Sequence, residues 1–145
     1  MNIEIISTPL TLNVSGFSGT AIGKDYTGAA FKLMDKMWQT VKANNLKHKG
    51  LNIWVYEPNE KIFAGVELES SLQQDVGLEF RKITLERYAY CKHVGPYQLI
   101  KKTGEEMRNE LKKRNLNIIS PYIEIYGHWT NDENKLETEL LMAIA

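Results

Sequence analysis

The chain carries the same pattern twice at a spacing of 70 residues, and this repetition narrows the possible folds more than any other feature. Asn45-Leu46 recurs as Asn115-Leu116, Ile53 as Ile123, Val55 as Ile125 and Tyr56 as Tyr126. The same shift carries Ala30 to Ile100, Met34 to Gly104, Met37 to Met107 and Val41 to Leu111. Further on the offset grows to about 72 or 73, where Gly65-Val66-Glu67-Leu68 meets Glu137-Thr138-Glu139-Leu140. A longer second turn accounts for the change.

Each copy holds one helical and several extended patterns. Ala30, Met34, Met37 and Val41, widened by Phe31 and Trp38, recur at amphipathic-helix spacing and predict a helix over 26–45. Ile100, Gly104, Met107 and Leu111 predict a second over 96–115, opened by Pro96 and closed by Lys112-Lys113-Arg114, where cations suit the helix C-terminus. Period-two alternation of β-branched and aromatic residues predicts strands over 3–15, 51–56, 62–69, 83–93, 122–128 and 136–144. Glu57-Pro58-Asn59-Glu60 and the run 130–134 read as hairpin links, and 70–78 as the polar connection between halves. The expected fold is α+β: duplicated strand-helix-strand-strand units, one over about 1–70 and one over about 79–145, related by a pseudo-twofold. An antiparallel sheet would carry both helices on one side and enclose a central ligand cleft. At 145 residues a single domain is expected.

Alternation also sorts the strand residues by face. Leu51, Ile53, Val55, Ile123 and Ile125 are expected to face the helices, leaving Asn52, Trp54, Tyr56, Tyr122, Glu124 and Tyr126 on the opposite face. Tyr88 and Tyr90 are expected to join that set from the strand before the second helix, and Phe63 from the strand paired with Trp54. A solvated sheet face is ordinarily Lys, Thr, Glu and Ser, so clustered aromatics point to a lined cleft. A carboxylate ringed by Tyr and Trp can compensate a ligand cation, while ring faces add about 0.5–2 kcal/mol per cation–π contact. The alternative is a solvated Glu124 whose tyrosine neighbours cover the sheet edge. Burial separates the two.

Charge and composition exclude other classes. Lys plus Arg and Asp plus Glu number 18 each, so no global field favours phosphate backbones or anionic membranes, and no direct nucleic-acid partner is expected. No apolar run reaches the length of a membrane span. The lone Cys91 and the absence of a charged-then-apolar leader suggest a reducing, cytoplasmic location. His48, His93 and His128 are too dispersed for a local metal motif, and neither metal nor cofactor is expected; His93 reads as a structural residue at a strand end. Gly16, Gly19, Gly23 and Gly28 form no nucleotide-binding turn and read as a flexible connection.

Three ordered segments resemble a known family. The run from Tyr88-Ala89-Tyr90-Cys91 through His93-Val94-Gly95-Pro96-Tyr97, then Pro121-Tyr122-Ile123-Glu124-Ile125-Tyr126, then Glu137-Thr138-Glu139-Leu140 is similar to the signatures of GyrI-like, or bacterial transcription-activator effector-binding, domains. The first-half hairpin from Tyr56-Glu57-Pro58 to Gly65-Val66-Glu67 fits as well. The resemblance implies a duplicated fold whose cleft binds hydrophobic, often cationic, compounds, with Glu124 as the charge partner. It also implies a free-standing member, without room for a DNA-binding module.

Three functions follow as expectations. The first is a binding module for lipophilic cations, using Glu124, Trp54, Tyr56, Tyr88, Tyr90, Tyr122, Tyr126 and Phe63. The second is a small-molecule hydrolase of the same fold, with Glu124 as base or nucleophile and a tyrosine such as Tyr126 as proton donor. The third is an interaction protein of the topoisomerase-inhibitor type. Separately, a protein partner or a homodimer stays open.

Overall fold

The computed structural model describes residues 2–145. Eight antiparallel strands form one sheet, in the order β1-β6-β8-β7-β3-β4-β2-β5. Their ranges are β1 Glu4–Ile6, β2 Leu10–Thr20, β3 Asn52–Glu57, β4 Lys61–Val66, β5 Glu79–Leu85, β6 Tyr88–Val94, β7 Ile118–Tyr126 and β8 Glu137–Ile144. Helix α1 spans Tyr26–Ala43 and α2 spans Ile100–Lys113, the latter preceded by a 3-10 turn at Tyr97–Leu99. The fold is α+β, and no helix is long and apolar enough to cross a membrane.

The repeated Asn-Leu pair has a physical meaning. Asn45 and Asn115 both take positive φ, 51° and 57°, and end their helices. In each case the following leucine N–H reaches back to a helical carbonyl, Leu46 to Val41 and Leu116 to Leu111, both at 3.0 Å. Asn45 donates to Lys42 and Asn115 to Lys112, completing the same left-handed helix stop twice. Asn is among the few non-glycine residues that enter this region readily.

Two predicted strands are each broken in two. The run over 3–15 divides at Ser7-Thr8-Pro9, and that over 83–93 at Glu86-Arg87. The breaks have a topological consequence: β1 pairs with β6 of the second unit, and β5, which opens that unit, pairs with β2 of the first. Each unit thus lends its opening strand to the other. The glycine-rich segment is not a flexible connection at its start, because β2 continues through Gly16 and Gly19 to Thr20. Gly16 stands opposite Gly65 of β4, and a Cβ on Gly16 would collide with the backbone of Ala64 and Gly65. Gly23 lies in a 3-10 turn and Gly28 in α1, where its N–H donates to the Asp25 carboxylate that caps the helix.

Both helices cover one face of the sheet. Met37 and Val41 of α1 pack with Phe17 and Val66, and Ala30 packs with Trp54, Ile62 and Ala64. Ile100, Met107 and Leu111 of α2 pack with Ala89, Cys91, Leu140 and Met142. The opposite face carries no helix. Its side chains, Leu12, Val14, Ile53, Val55, Phe63, Leu85, Tyr88, Ile123, Leu141 and Ala143, bury one another as the sheet curls. The expectation that Ile53, Val55, Ile123 and Ile125 face the helices is therefore reversed: Ile53, Val55 and Ile123 belong to the helix-free core, and Ile125 packs against it. The aromatic set shares its face with the helices.

Candidate ligand-binding site

The site forms where the two units meet, at the β3–β7 ladder. The register pairs Asn52 with Tyr126, Trp54 with Glu124 and Tyr56 with Tyr122. Under the 70-residue repeat, Asn52 corresponds to Tyr122 and Tyr56 to Tyr126, so the first and last pairs exchange. Trp54 and Glu124 correspond to each other, and their pair marks the pseudo-twofold.

Glu124 is only 5% exposed. Three tyrosine hydroxyls donate to its carboxylate: Tyr56 to Oε1 at 2.7 Å, Tyr126 to Oε1 at 2.6 Å and Tyr122 to Oε2 at 2.7 Å. Short O–H···O contacts of this kind are charge-assisted. No basic nitrogen lies within 4.0 Å of the carboxylate among the described residues. Burial, and secondly the adjacent Glu124 charge, drive the phenol pKa of Tyr122 and Tyr126 far above the ordinary tyrosine range; Tyr56 is raised for the same reasons in the same order. All three hydroxyls stay protonated and serve as donors.

The rings close over this group. Tyr56 and Tyr122 lie with centroids 5.2 Å apart, and Trp54 meets Tyr126 at 4.8 Å. Three residues outside the strands add a second layer: Tyr26 against Tyr56 at 5.5 Å, Phe31 edge-on to Trp54 at 5.4 Å and Tyr97 edge-on to Tyr126 at 5.7 Å. Tyr26 and Phe31 come from α1, and Tyr97 from the turn before α2. Phe31 is 50% and Tyr97 39% exposed, so the outer layer borders solvent while the carboxylate beneath it is dry. Trp54 presents a buried indole N–H with no acceptor among the described residues. At one end, Trp38 Nε1 donates to Asn52 at 2.6 Å and fixes the face residue paired with Tyr126.

Five of the eight expected site residues are brought together: Glu124, Trp54, Tyr56, Tyr122 and Tyr126. Phe63, Tyr88 and Tyr90 are not. Phe63 is in register with Val55, and Tyr90 with Leu141, which places them on the helix-free face. Tyr88 and Phe63 are buried in the core there, and Tyr90 donates to Glu139 at 2.7 Å. Sequence reasoning misses Tyr26, Phe31 and Tyr97 as site members. Phe31 is visible there only as a widening of the helical stripe, and Tyr97 only as the end of the His-x-Gly-Pro-Tyr run. His93 is buried near that run, with Nδ1 2.8 Å from Thr103 Oγ1 and Nε2 3.0 Å from the Pro96 carbonyl oxygen. It ties the end of β6 to the turn that carries Tyr97.

The duplicated α+β sheet with its two helices on one face is the architecture of a small-molecule-binding domain. The chain belongs to the GyrI-like family: the model of the GyrI-like small molecule binding domain matches residues 25–145. Among similar solved structures, the EcmrR C-terminal domain superposes with a TM-score of 0.76 at 12% identity, covering 100% of this chain and 99% of that one. SAV2435 bound to tetraphenylphosphonium gives 0.67 at 18% identity, covering 100% and 94%. A hydrolase from Listeria innocua gives 0.59 at 13% identity, covering 99% and 91%. At these identities the likeness is one of fold. No curated protein sequence matches the chain significantly.

Proposed function

We propose that this protein binds lipophilic cations at Glu124, with Trp54, Tyr56, Tyr122 and Tyr126 as the inner wall and Tyr26, Phe31 and Tyr97 as the outer one. The observation that carries the reading is the state of Glu124: a carboxylate buried to 5% exposure, held by three hydroxyls and, among the described residues, with no basic nitrogen in ion-pair range. Burying a charge without an opposite charge beside it is costly. A bound cation supplies the missing charge, and the rings offer it quadrupole attraction in a site of low effective dielectric. The tetraphenylphosphonium complex of the similarly folded SAV2435 is consistent with a ligand of this class.

The packing favours binding over catalysis. Both carboxylate oxygens already accept from tyrosine hydroxyls, so a substrate would have to displace a donor to reach either one. The same hydroxyls are poor proton donors with their pKa values so far raised. Glu124 itself is buried, while Phe31 and Tyr97, which pack on the inner rings, reach solvent.

The test is a calorimetric titration of tetraphenylphosphonium and of neutral triphenylphosphine oxide into wild type and Glu124→Gln. Removing the anion while keeping the shape should cost the cation about 2–5 kcal/mol and leave the neutral compound nearly unaffected. Equal loss for both ligands, or none for either, overturns the assignment of Glu124 as the charge partner.

A further inference from the structure

Arg108 stands at the edge of the site on α2, with its guanidinium carbon 5.2 Å from the centroid of the Tyr122 ring. Tyr122 supplies the sole hydroxyl on Oε2 of Glu124, so one aromatic ring separates a cation from the buried anion. Residue 104, one turn earlier, is glycine, and the guanidinium and the Tyr122 hydroxyl both lie near it. A Cβ there would lie 3.5 Å from Arg108 Nη1 and 3.9 Å from the Tyr122 hydroxyl. The corresponding residue of α1 is Met34, whose side chain packs against both cores beneath that helix. Among the described residues, only the second helix sets a cation over a ring of the inner wall.

The guanidinium is also uncommitted. Among the described residues Arg108 makes no salt bridge, whereas Arg81 and Arg114 each pair with a glutamate. Its side chain is half-buried, with solvent on the other side. Its field reaches the cluster: it opposes the upward shift of both the Tyr56 and the Tyr122 phenols. A cation over the Tyr122 ring attracts Glu124 and repels any second cation that approaches it, both more strongly than in water.

We propose that Arg108 is the resident counter-cation of the Glu124 site and sets its ligand specificity. An arriving lipophilic cation takes over compensation of Glu124 and drives the guanidinium off Tyr122 into solvent. A neutral ligand of the same outline leaves it in place. This rests on the cation-binding reading above, and it adds that cation affinity is held down by the protein's own charge.

Isothermal titrations of wild type and Arg108→Met with tetraphenylphosphonium and triphenylphosphine oxide test it. Methionine keeps the length and apolar contact of the side chain but removes the charge. The variant should bind the phosphonium about tenfold more tightly, and the neutral oxide within about twofold of wild type. In the wild-type NMR spectrum, the Arg108 Nε–H signal should carry a ring-current shift from Tyr122 that disappears on saturation with phosphonium. Equal or weaker phosphonium binding by Arg108→Met overturns the proposal while leaving the cation-binding reading intact. Parallel weakening for both ligands shows a merely structural arginine and overturns it too. Failure of every variant to bind phosphonium brings down both readings together.

Discussion

Trp54 and Glu124 face each other across the β3–β7 ladder, and they are each other's counterparts in the repeat. At the one point where the pseudo-twofold forces equivalent residues to meet, the sequence has placed an indole against a carboxylate. A symmetric pair there would be two acids or two indoles. The asymmetry leaves a symmetric scaffold with one charge and one large ring at its centre.

Under the proposed function, that arrangement makes Trp54 the reporter of occupancy. Of the three tryptophans, only Trp54 touches the inner cluster, through Tyr126 at 4.8 Å; Trp38 packs on His48 and Trp129 is exposed. Titration with tetraphenylphosphonium should change the fluorescence of wild type and of Trp38→Phe. In Trp54→Phe the change should be lost, and its survival there would place the ligand elsewhere.

The three tyrosines are not equivalent. Oε1 of Glu124 has two donors, Tyr56 and Tyr126, whereas Oε2 has Tyr122 alone. Tyr122→Phe should cost about 1–3 kcal/mol in urea unfolding, because it strips a buried charged oxygen of its partner. Tyr56→Phe should cost less, about 0.5–1.5 kcal/mol. The reverse order would show that the hydroxyls are not arranged as described.

Alkaline stability follows from the raised phenol pKa values of Tyr56, Tyr122 and Tyr126, caused first by burial and then by Glu124. The ordinary value is 10.0, so below that pH folded and unfolded chains hold the same protons and the full stability is present. Above it, the unfolded chain ionises these phenols and the folded one does not, so stability falls as pH rises. Unfolding free energy should drop beyond about pH 10, with part of the tyrosinate absorbance appearing only as circular dichroism is lost. Full tyrosinate formation with the fold intact would contradict the buried placement.

Cys91 sits in the core beneath α2, and burial pushes its thiol pKa up. It should react with iodoacetamide only under denaturing conditions. Rapid alkylation of the native protein, followed by mass spectrometry, would show that α2 opens readily from the sheet.

At Gly65 a Cβ would come 2.5 Å from the Ser15 carbonyl oxygen and 2.7 Å from Val14 Cγ1. Gly65→Ala should therefore lower stability by about 1–3 kcal/mol, the range for overpacking, read as a reduced denaturation midpoint. An unchanged midpoint would mean that β2 and β4 separate more easily than their register suggests.

The sequence by itself determined the repeat, the helices, their Asn-Leu stops and the parity of each strand. Because side chains alternate strictly along β3 and β7, the alternation alone groups Trp54, Tyr56, Tyr122, Glu124 and Tyr126. Only the tertiary structure decided which layer each face meets and how parity carries from strand to strand. Parity is a property of one strand; a one-residue change of register moves the whole neighbouring strand to the other face. That is why Phe63, Tyr88 and Tyr90 have the pattern of site residues and lie elsewhere. The aliphatic face of β3 and β7 has the pattern of a helix-packing surface for a related reason. Ile53, Val55 and Ile123 need burial, and a sheet that curls on itself meets that need without a helix. The helices are left to cover the aromatic face, and with the turn before α2 they bring Tyr26, Phe31, Tyr97 and Arg108 against the rings around Glu124.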